Sequence, residues 1–266
     1  MSIRVGEDGR RSVQVEVEVP GSPESVWEAV ATGPGVSSWF VPTRIEERVG
    51  GSIAADFGPG MESTSTVARW DPPRSFVAEG SGMSPEAPPM ATEWIVEAKS
   101  GGTCVVRVVH RWFASTDEWD DQFEMVEQGW NGFFKILRLK LERFPGQPGA
   151  AFDVAGMGDV GEAWPALTGP LGLTDAAVGA EVRAEAGAPA LAGRVEIVDD
   201  GGGERRRVVL TAEPGTGVAH LFAMPMGGSL YLSVRFYLFG EAAAFAVAQA
   251  EPGWKGWFAE RFPMVG

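Results

Sequence analysis

Residues 12–19 alternate strictly, with Val13, Val15, Val17 and Val19 on one side and Ser12, Gln14, Glu16 and Glu18 on the other. A period of two predicts a half-buried strand. Gly21-Ser22-Pro23-Glu24 then predicts a helix start. Ser22 suits the N-cap, Pro23 the first helical position, and Glu24 complements the helix dipole. Val26, Trp27 and Val30 form its apolar stripe, and Thr32-Gly33-Pro34-Gly35 is expected to end it. A second short helix is expected to carry Trp39 and Phe40. Strands are predicted at 44–48, 52–57, 63–70, 76–80, 92–98 and 103–113, separated by Gly50-Gly51, Asp71-Pro72-Pro73-Arg74, a Pro-rich loop over 83–90, and Ser100-Gly101-Gly102. Residues 122–144 place apolar side chains at 126, 130, 133, 137, 141 and 144. That spacing is helical and about three heptads long. The order is strand, helix pair, antiparallel strands, long helix, for which a curved sheet around the helix is the natural packing.

The second half repeats this order more loosely. Residues 146–158, rich in Gly, Pro and Ala, read as a linker. Thr168-Gly169-Pro170 echoes Thr32-Gly33-Pro34, and strands are expected at 180–186, 193–199, 205–212 and 217–224. Gly129-Trp130-Asn131-Gly132-Phe133-Phe134 returns as Gly253-Trp254-Lys255-Gly256-Trp257-Phe258, and Glu-Arg-Phe-Pro follows at 142–145 and again at 260–263. Residues 228–239 overlay 102–113 without a gap, which sets Phe236 at the place of His110 and Leu238 at that of Trp112. The second terminal helix is expected to be shorter and broken near Pro252. A duplicated domain explains this pattern, divided as 1–147 and 148–266. The 266 residues allow two domains, each able to bury a core.

Composition narrows the function. Basic and acidic residues number 14 and 22 before position 150, and 8 and 14 after it, for a net charge of −14. Neither half offers the basic surface that phosphate neutralisation needs, so no nucleic-acid partner is expected. No stretch is long enough to span a bilayer and no signal peptide is read, so no membrane partner is expected and the location is predicted as cytoplasmic. The lone Cys104 allows no internal disulfide or Cys-rich zinc site and reads as a small buried hydrophobe. His110 and His220 lie in different halves with no carboxylate at ligand spacing, and the acidic run 117–121 lacks the glycine and terminal Glu of a calcium loop. No metal and no cofactor is expected. No nucleophile elbow or phosphate loop occurs. Gly201-Gly202-Gly203 reads as a hairpin turn, and Arg205-Arg206-Arg207 as the basic edge of a sheet. Gly129 and Gly132 share a face of the long helix, so either a close approach there, by the sheet, a ligand or the other half, or a distortion of the helix is expected.

Ser22-Pro23-Glu24 with Val26-Trp27, Trp39-Phe40, Gly50-Gly51, Asp71-Pro72-Pro73, Gly101-Gly102-Thr103, His110 and Gly129-Trp130 occur in an order and spacing that resembles the START-like (SRPBCC, helix-grip) superfamily. More narrowly, residues 12–145 resemble the family named after the activator of the heat-shock-protein-90 ATPase. The second half resembles it only through the internal repeat. The resemblance implies an α+β protein of two helix-grip domains, each a curved antiparallel sheet around a long C-terminal helix. It also implies a cavity between sheet and helix in the first domain.

Strand alternation says which side chains face that space. Arg107 and Arg111 outward turn Val106, Val108, His110 and Trp112 inward; Glu93 and Glu97 outward turn Thr92, Trp94 and Val96 inward. With Trp39, Phe57, and Trp130, Phe133, Phe134 and Leu137 from the helix, the lining is apolar and aromatic with a polar group or two. Such a lining suits a small hydrophobic or aromatic ligand; the same residues also make a filled aromatic core. His110 is either a histidine satisfied by a neighbouring carbonyl or hydroxyl, or the group that orients a ligand carbonyl or moves a proton. The expected function is therefore non-enzymatic binding of a small hydrophobic ligand. The alternatives are a cyclase or aromatase on a polyketide-like substrate, with His110 catalytic, and an interaction protein with a heat-shock chaperone as partner.

Overall fold

The structure, a computed structural model, describes residues 4–5, 11–58, 62–81, 89–112, 120–201 and 204–264. Of residues 4–5, 11, 112 and 120–128 only the backbone is described. Backbone contacts divide the chain into two compact units, Met1–Gly146 and Gln147–Gly266.

The first unit opens with β1 (Arg4–Val5) and β2 (Arg11–Pro20), then α1 (Pro23–Ala31) and α2 (Gly33–Ser37). A meander follows: β3 (Thr43–Ile45), β4 (Ser52–Asp56), β5 (Glu62–Asp71), β6 (Ser75–Gly80), β7 (Met90–Lys99) and β8 (Thr103–Trp112). The long helix α3 (Asp120–Arg143) closes the unit. The sheet is antiparallel in the order β1-β2-β8-β7-β6-β5-β4-β3, so the early strand β2 pairs with the last, β8. α3 packs on β2.

Local chemistry accounts for these elements. The Ser22 hydroxyl accepts from the Ser25 amide at 3.3 Å and Pro23 opens α1. Thr32-Gly33-Pro34-Gly35 does more than stop a helix. The Thr32 hydroxyl donates back to the Glu28 carbonyl at 2.8 Å and accepts from the Gly35 amide at 3.0 Å, so one residue ends α1 and caps α2. α2 ends at Ser37, which leaves Trp39 and Phe40 in the turn after it rather than on a helix. Freed from helical spacing, both rings turn inward and are buried. Of the loop expected over 83–90, residues 83–88 lie outside the described residues and Met90 already begins β7.

The second unit has β9 (Gly149–Gly158), α4 (Ala163–Thr168), β10 (Glu181–Arg183), β11 (Ala192–Asp199), β12 (Arg205–Glu213), β13 (Gly217–Met226), β14 (Ser229–Phe239) and α5 (Ala243–Arg261). Its order, β10-β11-β12-β13-β14-β9, repeats the pairing of first strand with last. Thr168 matches Thr32 in detail: its hydroxyl donates to the Trp164 carbonyl four residues back at 2.9 Å and closes α4 as Thr32 closes α1.

Three expectations fail in this unit. Most of the segment read as a linker, residues 149–158, is the strand β9, paired with β14 along its whole length. Its glycines are packing residues: a Cβ on Gly156 would lie 2.0 Å from the Phe262 carbonyl oxygen, and one on Gly158 would lie 2.6 Å from the Ala163 Cβ. The arginines at 205–207 are not an edge, because β12 lies between β11 and β13. Arg206 and Arg207 are buried there. Arg206 lies 5.3 Å from the Phe222 ring and donates to His220 Nε2 at 3.0 Å, while Arg207 lies over Trp164 and holds Asp200 with both terminal nitrogens. Finally, α5 runs unbroken through Pro252. Pro252 and Ala248, whose carbonyl loses its amide partner, both lie on the exposed face, which leaves that carbonyl open to solvent. Buried Trp254, Trp257 and Phe258 hold the following turns.

The core face of the second sheet carries Phe152, Val154, Val209, Ala219, Leu221, Leu232, Val234, Phe236 and Leu238 against Trp254, Trp257 and Phe258 of α5.

Candidate functional site

Two strands and one helix build the site of the first unit. β7 and β8 pair with Thr92 opposite His110 and Trp94 opposite Val108. Directly opposed residues project to the same face, so these four share the concave side. From α3, Trp130, Phe134 and Leu137 lie at spacings of four and three and present one stripe. The buried Trp39, fixed by its indole N–H to the Ala29 carbonyl at 2.8 Å, and Phe40 enter from the turn after α2.

These rings pack on one another. Trp130 stacks on Phe40 at 5.0 Å, meets Trp94 edge-on at 5.1 Å, and lies 5.7 Å from Phe134. Trp39 touches Trp94, Trp130 and Phe134. Val106, Val108 and Leu137 are fully buried beneath. Phe57, just beyond β4, meets Phe40 at 5.5 Å yet stays 39% exposed, and half-buried Phe133 meets Phe40 at 4.6 Å. This is the solvent edge of the cluster. Trp112 ends β8 opposite Arg11 and Met90, and its side chain lies outside the description.

Sequence reasoning missed how far the cluster reaches. Phe76 stacks on Trp94 at 5.9 Å, and Trp27 and Trp70 join it at 5.8 and 5.3 Å. The buried Phe76 and Ala78 of β6 alternate with half-buried Val77, and that alternation was the available signal. At Gly129 a Cβ would meet nothing within 4 Å among the described residues, whereas Gly132 is buried.

One polar chain runs through the aromatic rings. The Trp130 indole N–H donates to His110 Nε2 at 2.6 Å, and His110 Nδ1 lies 2.9 Å from the Thr92 hydroxyl. An indole nitrogen only donates, so Nε2 must carry the lone pair and Nδ1 the proton. His110 Nδ1–H therefore donates to Thr92 Oγ1. The chain is one-way, and the hydrogen of the Thr92 hydroxyl is left to donate onward. Burial pushes the His110 pKa down to about 3, so the ring is neutral.

The second unit carries the same frame without this chain. β13 and β14 pair Ala219 with Phe236, as β7 and β8 pair Thr92 with His110. Trp254 meets Phe236 at 4.9 Å. Its indole nitrogen is buried without a hydrogen-bond partner among the described residues. A donor stranded in this way costs about 1–3 kcal/mol.

Other chemistry is sparse. Among the described residues no three His, Cys, Asp or Glu cluster as metal ligands. Of the acidic run 117–121, residues 117–119 lie outside the description and Asp120 and Asp121 begin α3. Cys104 is buried, its thiol donating to the Gly21 carbonyl at 3.4 Å, and burial raises its pKa. No described helix is long and apolar enough to cross a membrane.

Fold and site together define an α+β helix-grip domain with an aromatic interior. Residues 20–142, within the first unit, match the family model for Activator of Hsp90 ATPase homolog 1-like protein. Similar solved structures include the di-domain ARO/CYC BexL from the BE-7585A biosynthetic pathway, 17% identical, covering 96% of this chain and 100% of that one at a TM-score of 0.46. DynU16, from the dynemicin biosynthetic locus, is 18% identical, covering 93% of this chain and 95% of that one at 0.43. The Aha1 dimer from Colwellia psychrerythraea is 22% identical, covering 51% of this chain and 98% of that one at 0.42. No curated protein matches the chain.

Proposed function

We propose that the first unit binds a small, neutral, largely aromatic molecule that carries a hydrogen-bond acceptor, and that it does no chemistry on it. The one-way chain from Trp130 through His110 to Thr92 carries this reading. Its last donor, the Thr92 hydroxyl, sits on the face lined by Trp94 and Trp130. A ligand ring inserts at the solvent edge, replacing the contact of Phe57 with Phe40, and its oxygen accepts from Thr92. Aromatic walls with one oriented polar group are the ordinary makeup of a small-molecule site.

The same chain argues against general acid–base work by His110. Nε2 is occupied by Trp130 and Nδ1 by Thr92. A ring with a pKa pushed down to about 3 is a poor base near neutral pH.

The test uses the full chain labelled with ¹⁵N-tryptophan and a matched pair of probes, 9-fluorenone and its oxygen-free counterpart fluorene. Fluorenone should shift the Trp130 indole signal saturably, and Thr92→Val should weaken fluorenone about ten-fold while leaving fluorene unaffected. A Trp130 signal that neither probe moves would sink the binding reading. Mass spectrometry of small molecules carried through purification, before and after incubation, checks the absence of chemistry; a changed ligand mass would overturn it.

A further inference from the structure

Three buried side-chain nitrogens lack a hydrogen-bond partner among the described residues: Arg207 Nε, Trp254 Nε1 and Trp257 Nε1. All three belong to the second unit. Trp254 and Trp257 are 1% and 7% exposed, one helical turn apart on α5, with ring centroids 6.0 Å apart and planes at 73°. Arg207 shares a face of β12 with Val209, a core residue. Its guanidinium lies 5.5 Å from the ring of Trp164, another member of that core.

Comparison with the first unit shows how the Trp254 donor came to be stranded. There the triad is Thr92, His110 and Trp130; at the matching strand and helix positions stand Ala219, Phe236 and Trp254. The donor is kept and both acceptor-bearing side chains are gone. Trp94, opposite Val108, has Leu221 opposite Val234 as its counterpart, so a ring beside the donor is lost as well. Buried polar groups are ordinarily satisfied, and unsatisfied ones call for an unseen partner. Each stranded group is a donor, so the missing partner must supply acceptors.

We infer that the second unit is a separate binding site for a neutral apolar molecule bearing oxygen acceptors, an aromatic ketone in chemical class, held by the indole N–H groups of Trp254 and Trp257. With Phe236 where the first unit has His110, the Trp254 indole has no histidine to bond and would meet a ligand acceptor directly. The inference stands independently of the reading of the first unit.

The same labelled chain and probes test it at different signals. The chain holds 10 tryptophans, and Trp254→Phe and Trp257→Phe assign the two indole resonances. Fluorenone should move both saturably, at least ten-fold more tightly than fluorene. Phe236→His supplies an internal acceptor and should abolish the response at Trp254. Failure at Trp130 with success at Trp254 removes only the first-unit reading, and the reverse removes only this one. Signals at Trp254 and Trp257 that stay unmoved, or that show an internal water as acceptor, overturn the inference, as does an equal response to the two probes. The wild-type titration alone decides the matter if a variant does not fold.

Discussion

Trp130 donates to His110 at 2.6 Å, and this bond joins the long helix to the last strand of the first sheet inside an otherwise apolar cluster. His110→Phe would recreate in the first unit the arrangement seen at Phe236 and Trp254. The stranded indole should then destabilise the unit by about 1–3 kcal/mol, measured by urea unfolding followed through tryptophan fluorescence. An unchanged midpoint would mean that the bond contributes nothing net.

The same histidine sets a pH dependence. Its pKa is depressed from the ordinary 6.5 to about 3 by burial. Between those values the unfolded chain binds a proton that the folded one does not. The contribution of neutral His110 is therefore full above about pH 6.5 and is lost as the pH falls toward 3. Buried His220, also depressed, adds a slope of the same sign. The measurement is the difference in unfolding free energy between wild type and His110→Phe from pH 7 to 4. The wild type should lose stability more steeply; parallel curves would contradict the assignment.

A double-mutant cycle can ask whether the triad is transferable. Ala219→Thr and Phe236→His, made singly in the second unit, each leave a buried polar group incomplete. Together they rebuild a chain ending on Trp254, in the pairing register already present between β13 and β14. The coupling should be favourable by about 0.5–3 kcal/mol, the range for directly interacting residues. Equal sums of the single and double effects would show that register alone does not recreate the bond.

Much of this architecture is legible in the residues, and the parts that are not have local causes. Strand β8 is readable because Arg107 and Arg111 mark its outer face. The cap at Ser22 is readable because it acts within three residues. β9 is not, because Gly156 and Gly158 are set by Phe262 and Ala163, contacts that only the folded chain makes. Arg206 and Arg207 mislead because charge along a strand does not say which strands flank it. The triad falls between these cases: inward-facing Thr92 and His110 follow from alternation, but their being opposite one another depends on the hairpin at Gly101-Gly102.

The repeated glycines separate packing from propensity. Gly253 and Gly256 are exposed within α5, and a Cβ on either would meet nothing within 4 Å. Glycine in a helix interior is about 0.8–1.0 kcal/mol less favourable than alanine. Gly253→Ala and Gly256→Ala should therefore each raise stability by about that much, read as higher urea midpoints at unchanged slope. Gly156→Ala should do the opposite. Its new methyl would collide with the Phe262 carbonyl oxygen 2.0 Å away, a backbone atom that cannot swing aside. The end of α5 would have to leave β9, uncovering Phe262 and weakening the cover over Trp257, which it meets at 6.2 Å. A loss well above 1 kcal/mol is expected from overpacking of this kind, typically about 1–3 kcal/mol. Were the alanine at 156 neutral and those at 253 and 256 harmful, the packing of α5 on β9 described here would be wrong.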